Sequence, residues 1–511
     1  MSEPGEQAIG QRELARDADW RHLDARMLLV HPVNELVRFL PLIVGVFLLG
    51  SSSEGDPWHY LGVAIPIALG LWRFASTSFR ITGSQIELRR GLLGRSVLTA
   101  PLDRVRTVEL TASPIHRVLG LAKVEIGTGS GTRNGDNRLV LDSLGAAEGR
   151  RLRADLLHSA PPSAAAAPAT AAVPVAPAEA GVIMRLDPAW LRYAPLTTSG
   201  LVIALAALGG SSQFLGDLID RAANASSVDE QVGALPLAVS VPAGVVVFLA
   251  VTSVLAIAGY VLTNWGFTLS RDASGRSFHV RRGLLTTRET SIDVDRLRGL
   301  EVHEPLGLRL AGGGRLTAVV TGLGRRSEGS TALVPPAPRA VVIGVGEQVL
   351  GEPRPGAPGP LAVGLVSHGP AARRRRYLRA LVPTSLLPVA LAALWLAAGW
   401  PWWPVVVALL APPAGLWLAH DRYAGLGHAL TGRYLVVRSG SFRGRRDALQ
   451  RSGIIGWNIQ QTWFQRRAGL VTLSATTAAG KQVYHVFDVP EQTAIALADA
   501  AVPGLVGQFL E

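Results

Sequence analysis

The sequence predicts a mixed membrane protein in which six transmembrane α-helices form three hairpins, each followed by an α+β domain. Two observations support this prediction. Paired apolar segments occur three times along the 511 residues. Each pair is followed by a stretch in which apolar and polar residues alternate, as they do in half-buried strands. A repeat in fixed order indicates three copies of one module.

The composition also favours a membrane protein. The chain is 48% hydrophobic and only 17% charged, whereas about a quarter of the residues in soluble domains are charged. The net charge is +12, and nearly all of the positive charge comes from arginine, because Lys123 and Lys481 are the only lysines. Cysteine is absent, which excludes disulfides, cysteine-based metal sites and thiol nucleophiles.

The lengths of the apolar segments fit membrane spans. A helix needs about 20 residues to cross the hydrocarbon core, with a lower limit near 17. The second and third pairs reach this length, whereas the first pair needs flanking residues. Pairs of buried core helices are the alternative, which the threefold repetition disfavours. The predicted spans are residues 36–49, 61–75, 196–215, 235–262, 378–398 and 402–419.

Charge predicts the orientation of these spans. The short loops within the hairpins contain few basic residues, whereas the opposite ends of the spans are rich in arginine, including the run 373–376. The positive-inside rule therefore places both termini and all three soluble modules in the cytoplasm, in a multi-pass protein of the cytoplasmic membrane. Residues 1–26 are polar and lack the pattern of a cleaved signal peptide, so the first span would direct insertion.

Each soluble module is predicted to be a curled antiparallel sheet with one open end capped by a C-terminal helix. In the first module, residues 97–100, 105–110 and 122–126 alternate with a period of two, as strands do. The predicted terminal helices are 146–157, 339–350 and 491–501. A short helical turn that ends at glycine is expected within each module, at residues 115–121, 306–311 and 464–470.

The motifs Pro101–Val108 and Leu119–Ile126 resemble those of the bacterial pleckstrin-homology (PH) family of membrane proteins, the YdbS/YdbT-like group. The second and third modules match more loosely, and the chain is similar to a long form with three modules. The resemblance implies a PH-like fold for each module and a membrane location. It also implies a companion membrane protein with a PH domain as a partner, but it implies little about activity.

The repeat and two linkers rich in alanine, proline or glycine set the predicted domain boundaries. The predicted segments are an N-terminal cytoplasmic segment at 1–32, hairpins at 33–75, 182–262 and 373–420, PH-like domains at 76–159, 263–350 and 421–511, and linkers at 160–181 and 351–372.

Catalytic patterns are absent from the sequence. The histidines show no metal-ligand or triad spacing, and His116 is expected at the surface because Gln465 occupies the matching position of the third module. The runs 127–132 and 312–314 lack the Gly-Lys-Ser/Thr ending of a phosphate loop and are expected to be mobile hairpin loops. The only charges within the predicted spans are Arg38, Arg73 and Arg379, each within three residues of a span end. The absence of charge from the middle of the spans argues against an ion pump. The sequence therefore predicts a protein that is not an enzyme and has no cofactor or metal.

Arginines are the remaining candidates for function. An arginine near an anionic leaflet contributes about 1 kcal/mol to binding, although exposed arginine also serves solubility and topology. The candidate anionic-lipid contacts are Arg89, Arg90, Arg281, Arg282, Arg438, Arg443, Arg445 and Arg446, with Arg373, Arg374, Arg375 and Arg376 before the fifth span. Nucleic acid is not expected as a partner, because no aromatic residues are interleaved with the basic charge.

Three hypotheses for function follow from the sequence. The leading one is a non-enzymatic platform for protein or lipid at the inner leaflet, with three modules raising apparent affinity. The second is a lipid-handling or transport component built on a six-helix bundle, since small residues in the spans allow close packing. The third is a subunit of a larger assembly.

Overall fold

The computed structural model describes residues 21–22, 24, 26, 77–82, 85–90, 96–101, 107–127, 138–158, 181–197, 199–200, 202, 237–321, 331–351 and 358–505. The chain divides into two compact units. The first comprises Met1–Val182 with Gly266–Arg296, and the second comprises Ile183–Trp265 with Leu297–Glu511. The spans predicted at 36–49 and 61–75 lie outside the described residues, as does nearly all of the span at 196–215.

The first unit contains the first module and the opening strands of the second. The elements of the first module are β1 (Arg21–His22), β2 (Thr77–Ile81), β3 (Gln85–Arg90), β4 (Ser96–Pro101), β5 (Thr107–Ala112), α1 (Pro114–Val118), β6 (Leu121–Gly127), β7 (Arg138–Gly145) and α2 (Ala146–His158). Strands β1 to β4 form one antiparallel sheet in sequence order. Apolar residues of β2, β3, β5, β6 and β7 form one core, to which α2 contributes Leu152.

The middle of the chain continues with β8 (Gly181–Arg185), a 3-10 turn (Pro188–Tyr193), α3 (Leu237–Asn264), β9 (Thr268–Arg271), β10 (Ser277–Arg282) and β11 (Thr287–Asp293). Strands β9 to β11 belong to the first unit. They are followed by β12 (Leu297–Pro305), α4 (Leu306–Leu310), β13 (Gly313–Val320), β14 (Ala332–Pro338) and α5 (Arg339–Leu350) of the second unit. The strands of the second module are therefore divided between the units.

The second unit ends with a helical hairpin and the third module. Its elements are α6 (Gly369–Ala398), α7 (Trp403–Ala408), α8 (Ala411–Ala424), β15 (Gly427–Leu430), β16 (Tyr434–Ser439), β17 (Arg443–Gln450), β18 (Ile454–Gln460), α9 (Trp463–Arg467), β19 (Leu470–Thr477), β20 (Val483–Pro490) and α10 (Glu491–Ala501). The core of the third module is built from β16 to β20 and α10.

Neighbouring modules are joined by antiparallel strand pairs. In the first unit β5 pairs with β11, from Thr287 opposite Ala112 to Ile292 opposite Thr107, and the sheet runs β7-β6-β5-β11-β10-β9. In the second unit β12 pairs with β17, from Gly299 opposite Leu449 to Pro305 opposite Arg443. The sheet there has the order β14-β13-β12-β17-β16-β15. We call the β5–β11 pair the first joint and the β12–β17 pair the second joint.

The terminal helices were predicted correctly, because α2, α5 and α10 coincide with the expected segments to within one residue. The short turns are also confirmed as α1, α4 and α9. Each of these turns is followed by a glycine at positive φ, at Gly120 (69°), Gly312 (68°) and Gly469 (61°), where a side chain would be strained. The expectation of a loop over 312–314 was wrong, since β13 begins at Gly313 and places Gly314 opposite Ala337.

Three helices in the described part of the chain are long and apolar enough to cross a membrane. They are Gly244–Asn264, Gly369–Ala398 and Trp403–Ala424, which match the predicted spans at 235–262, 378–398 and 402–419. The last two pack closely, because a Cβ atom added at Gly415 would lie 2.3 Å from the Thr384 hydroxyl oxygen. Small residues allow such approach of membrane helices.

The hairpin formed by α6 to α8 has two different ends. Its tip carries the exposed rings of Trp400, Trp402 and Trp403, which suit the membrane interface. Its base is bound to α4 and to the turn between β16 and β17 in the second unit. Arg309 of α4 donates from Nη2 to Asp421 Oδ1 at 2.6 Å, and the Ser441 hydroxyl donates to Asp421 Oδ2 at 2.5 Å.

Candidate functional site

The second joint carries a basic ladder on one face of its sheet. Strand register places Arg315 of β13 opposite His303 of β12, and His303 opposite Arg445 of β17. Side chains directly opposite in antiparallel strands lie about 5 Å apart at Cβ. Three neighbouring strands therefore present two guanidinium groups and an imidazole side by side.

An open cleft of about 620 Å³ lies against this ladder. We call it the basic cleft, and its lining residues are His303, Pro305, Arg315, Ser439, Gly440, Arg443, Gly444, Arg445, Lys481 and Phe487. Arg315 and Arg443 are exposed, and neither has an ion-pair partner within the described residues. The lining contains no carboxylate, so the cleft favours an anion.

A buried carboxylate behind the cleft positions Lys481. Glu301 is 5% exposed and accepts from Lys481 Nζ at 2.7 Å and from the Tyr484 hydroxyl at 2.8 Å. The His303 Nε2 atom lies 3.1 Å from the same carboxylate. Burial alone would raise the pKa of Glu301, but His303 and Lys481 outweigh burial and lower it to about 2. Burial also lowers the pKa of His303, although Glu301 acts in the opposite direction.

Asp447 lies opposite Glu301 across the second joint and behaves differently. It is 1% exposed, and its nearest cation is Arg445, whose Nε is 3.3 Å from Oδ2. Burial raises the pKa of Asp447 to about 7 even though Arg445 opposes this shift, and the charge of Glu301 adds to it. The net charge behind the cleft therefore changes near neutral pH.

The turn between β16 and β17 brings the cleft to the base of the membrane hairpin. Gly440 has φ 97°, and a Cβ there would lie 2.2 Å from the Arg443 carbonyl oxygen, so only glycine fits. The following Phe442 is 53% exposed, and its ring centroid lies 6.2 Å from that of Trp417 in α8. Arg443 thus extends from a turn that contacts a candidate membrane helix.

A second basic cavity, of about 350 Å³, adjoins the same base and shares Gly440 and Phe487 with the basic cleft. Its lining includes Arg375 and Arg376, which both form ion pairs with the carboxylate of Asp488. The structure therefore brings these two predicted lipid contacts to a fully buried acid of the third module. Asp488 neutralises part of their charge, and the two ion pairs attach the hairpin to the third module.

The other predicted arginines of this unit are placed as follows. Arg446 is buried and donates to the Val363 carbonyl oxygen, so it faces away from solvent. Arg438 is half-buried on β16. Arg373 and Arg374 are exposed on the first turns of α6, and the guanidinium of Arg373 lies 5.5 Å from the centre of the Tyr377 ring.

The predicted arginines of the first unit end strands β3 and β10. Arg89 is half-buried, whereas the side chain of Arg90 is outside the described part. Arg281 is exposed, with Nε 3.5 Å from Glu289 Oε1. Burial lowers the pKa of Arg282, and neighbouring Arg288 lowers it further. The turn after Arg282 exposes Leu284 and Leu285.

Sequence reasoning missed Arg315 and Lys481, although one signal was available for each. Lys481 is one of only two lysines in the chain, and Arg315 follows the glycines that were taken for a loop. The expectation of a surface His116 was wrong. This residue is 4% exposed, because its Nδ1 atom lies 2.6 Å from the hydroxyl oxygen of Ser113, which caps α1.

The described residues contain no group of three His, Cys, Asp or Glu side chains that could hold a metal ion. The sequence matches the family described as Bacterial PH domain over residues 35–160, 227–343 and 380–502. These matches cover well over half of the chain, and each ends at or near the terminal helix of a module. The chain therefore belongs to the bacterial PH domain family. No curated protein and no solved structure matches the chain.

Proposed function

We propose that the protein is a non-enzymatic binding platform of the cytoplasmic membrane, and that its basic cleft binds the anionic headgroup of an inner-leaflet lipid. The observation that carries this proposal is the position of Arg315 and Arg443. Both are exposed at the cleft without a carboxylate partner in the described part of the chain. A phosphate group accepts hydrogen bonds from guanidinium groups in a favourable planar geometry.

The charge balance of the cleft supports an anion as the ligand. Four cationic side chains belong to the lining, namely Arg315, Arg443, Arg445 and Lys481. The two acids behind them are Glu301 and Asp447, and the latter carries a pKa raised by burial. The cleft therefore keeps positive charge at neutral pH. Each arginine near an anionic surface contributes about 1 kcal/mol to binding.

The position of the cleft supports a lipid rather than a soluble anion. Phe442 follows Gly440 and contacts Trp417 of α8, and Asp421 of α8 accepts from both Arg309 and Ser441. The cleft therefore opens at the base of the hairpin, on the side opposite the tryptophan tip. In the proposed topology this base lies at the inner leaflet, because Arg373 and Arg374 precede the span and the positive-inside rule applies.

The proposal includes the predicted topology of six spans in three hairpins, with both termini in the cytoplasm. Three of these spans correspond to the apolar helices described above, and the threefold repeat of the family match supports the other three. The three modules are proposed to bind the membrane multivalently, with the exposed Arg281 and the apolar turn Leu284–Leu285 of the second module as further lipid contacts.

The test is a lipid titration of the full chain in zwitterionic nanodiscs, using short-chain phosphatidylglycerol with phosphatidylcholine as the neutral probe. The double variant Arg315→Gln/Arg443→Gln is expected to lose about 2 kcal/mol of affinity, which is roughly 30-fold. The matched control is Lys123→Gln/Arg288→Gln at the first joint, whose cations are already paired with Glu125 and Glu109.

The outcomes separate the ligand sources. A selective loss in the Arg315/Arg443 variant supports the lipid headgroup site. If inorganic phosphate binds with the same affinity as the short-chain lipid, the cleft is a site for a soluble anion, and the lipid proposal fails. Equal binding by the wild type and both variants would show that the basic cleft is not the lipid site.

A further inference from the structure

The chain joins its modules twice by the same strand pair. The first joint unites β5 with β11, and the second unites β12 with β17. In each case the strand that precedes the short helical turn of one module pairs with the third strand of the next module. Each joint lies within one compact unit.

A third strand, β18, corresponds in position to β5 and β12, and among the described strands it has a neighbour on one side only. Strand β18 precedes α9 as β12 precedes α4, and both carry an irregularity at the same place, between Leu297 and Gly299 and between Ile454 and Gly456. In the described part of the chain β18 is the edge of the sheet β18-β19-β20.

Strand β4 is the corresponding member on the other side of the joint. It follows β3 as β11 follows β10 and as β17 follows β16, with Ile86 opposite Ala100 as Phe278 is opposite Ile292. Among the described strands, β4 is the edge of the sheet β1-β2-β3-β4. Among the described strands, β4 and β18 are thus the two that correspond to the joint strands but have no partner across a joint.

Exposure differs between the used and unused edges. Val302 of β12 is 2% exposed, whereas Ile459 at the equivalent position of β18 is 44% exposed. Val97 of β4 is 51% exposed. Neither β4 nor β18 contains a charged residue, although charged residues commonly protect free sheet edges from association. Two exposed, uncharged strands of complementary class are therefore left over.

We propose that β18 of one chain pairs antiparallel with β4 of a second copy of this chain. A second copy is the occupant because it supplies the strand class that this chain itself uses at both joints. The register follows from the first joint, where Leu110 lies opposite Glu289, and it places Ile459 opposite Val97 of the other copy. The contact is head-to-tail, so it forms a ring where the rotation closes and an open row where it does not.

This inference does not depend on the lipid proposal, since neither strand lines the basic cleft. The chain has no cysteine, so single cysteines can be introduced without a background. The experiment mixes Ile459→Cys chains with Val97→Cys chains that carry a different tag, in membranes under mild oxidation. Residues directly opposite in antiparallel strands have Cα atoms about 4.5–5.5 Å apart, which suits a disulfide.

The expected result is a disulfide-linked pair of differently tagged chains. Asn458→Cys replaces Ile459→Cys as the register control and is expected to react less, because adjacent residues point to opposite faces. If the mixture yields no disulfide-linked pair, the proposal is overturned. A third protein carries both Val97→Cys and Ile459→Cys in one chain. If a disulfide forms only within this chain and not between chains, the proposal is also overturned, because β18 then pairs with β4 of the same chain. Linkage only to another membrane protein overturns it in favour of a companion module.

A second measurement guards against misfolding. Ile459→Lys places a charge inside the proposed pair and is expected to reduce the assembly mass of the purified chain. Ile455→Lys changes a residue of similar character that is 66% exposed, but its equivalent Arg298 lies outside the pairing of the second joint. It is therefore expected to leave the mass unchanged. Equal masses for the wild type and both variants contradict the inference.

Discussion

The two joints share one strand pairing but differ in how their cations are neutralised. At the first joint, Lys123 lies 2.8 Å from Glu125, and Arg288 lies 2.5 Å from Glu109. Strand register shows that the equivalent residues of the second joint are Arg315 and Arg445. Arg315 has no ion-pair partner among the described residues, and Arg445 shares the buried Asp447.

Under the proposed function, one backbone arrangement therefore supports two roles. At the first joint, Lys123 and Arg288 are each neutralised by an ion pair. The second joint keeps an excess of positive charge beside a cavity at the base of a candidate membrane helix. Both joints therefore share the same strand pairing. In the proposed function, the side chains on one face of a joint determine whether that joint binds an anion.

The largest expected effect comes from the buried carboxylate of each joint. Glu301→Gln leaves Lys481 and His303 without their acid, and we expect a loss of about 3–5 kcal/mol of unfolding free energy. Glu109→Gln is expected to cost about 1 kcal/mol, because the Arg288 side chain is 41% exposed and can be solvated by water. Chemical unfolding of the full chain in detergent measures both. Equal losses would show that the joints are energetically alike.

Asp447→Asn is expected to give the next largest effect, and its sign depends on pH. The folded-state pKa is raised from 3.8 to about 7, so the folded state holds a proton that the unfolded state has released. Stability from this group is complete below pH 3.8 and is lost as pH rises through 7. The variant should therefore gain about 2–4 kcal/mol over the wild type at pH 8 and little at pH 4. Thermal unfolding across this range measures the difference.

A histidine pair at the base of the hairpin predicts a smaller pH effect of opposite sign. His368 Nδ1 lies 2.7 Å from the Phe487 carbonyl oxygen and must donate, so its Nε2 accepts from His428 Nδ1 at 3.0 Å. Burial, aided by His368, lowers the pKa of His428 from 6.5 to about 4. Stability should therefore fall by about 1–3 kcal/mol as pH drops from 6.5 to 4.

His428→Asn tests this assignment because its amide can still donate to His368. The variant is expected to unfold with less dependence on pH between 6.5 and 4. The first unit has Leu269 and Phe79 at the equivalent positions of β9 and β2, so no such dependence is expected there. An unchanged pH profile in His428→Asn would contradict the neutral pair.

The smallest effect should come from removing one ion pair at the first joint. Glu125→Gln removes the acid beside Lys123 and makes this joint more like the second. We expect affinity for short-chain phosphatidylglycerol to rise by no more than about fivefold, since one basic residue contributes about 1 kcal/mol. A rise comparable to the 30-fold loss predicted for the Arg315/Arg443 variant would show that ion pairing alone separates the joints.

The sequence predicted the repeating parts of the fold well. Period-two alternation and the terminal helical patterns located β4 to β6, α2, α5 and α10, because these elements depend on local periodicity. The predicted domain boundaries stay predictions. The strand pairing between modules was not predicted, since edge-to-edge register depends on contacts between residues as distant as Glu109 and Arg288.

The candidate site was predicted only in part. Arg443 and Arg445 were chosen from the basic character of one strand, but the pattern could not show that Arg375 and Arg376 are bound to Asp488. Lys481 reaches the cleft through Glu301, which is 180 positions away in sequence. Such a contact exists only once the second joint has formed, so single-sequence reasoning had no means to find it.

The most direct test of the account is the depth of the turn beside the basic cleft. A fluorophore on Phe442→Cys, in a chain that otherwise lacks cysteine, is measured in nanodiscs with nitroxide-labelled headgroups and with iodide in the buffer. We predict strong quenching by the headgroup nitroxide, increased by anionic lipid, and weak quenching by iodide. Strong quenching by iodide without quenching by the headgroup nitroxide would place the cleft away from the membrane and contradict the proposed function.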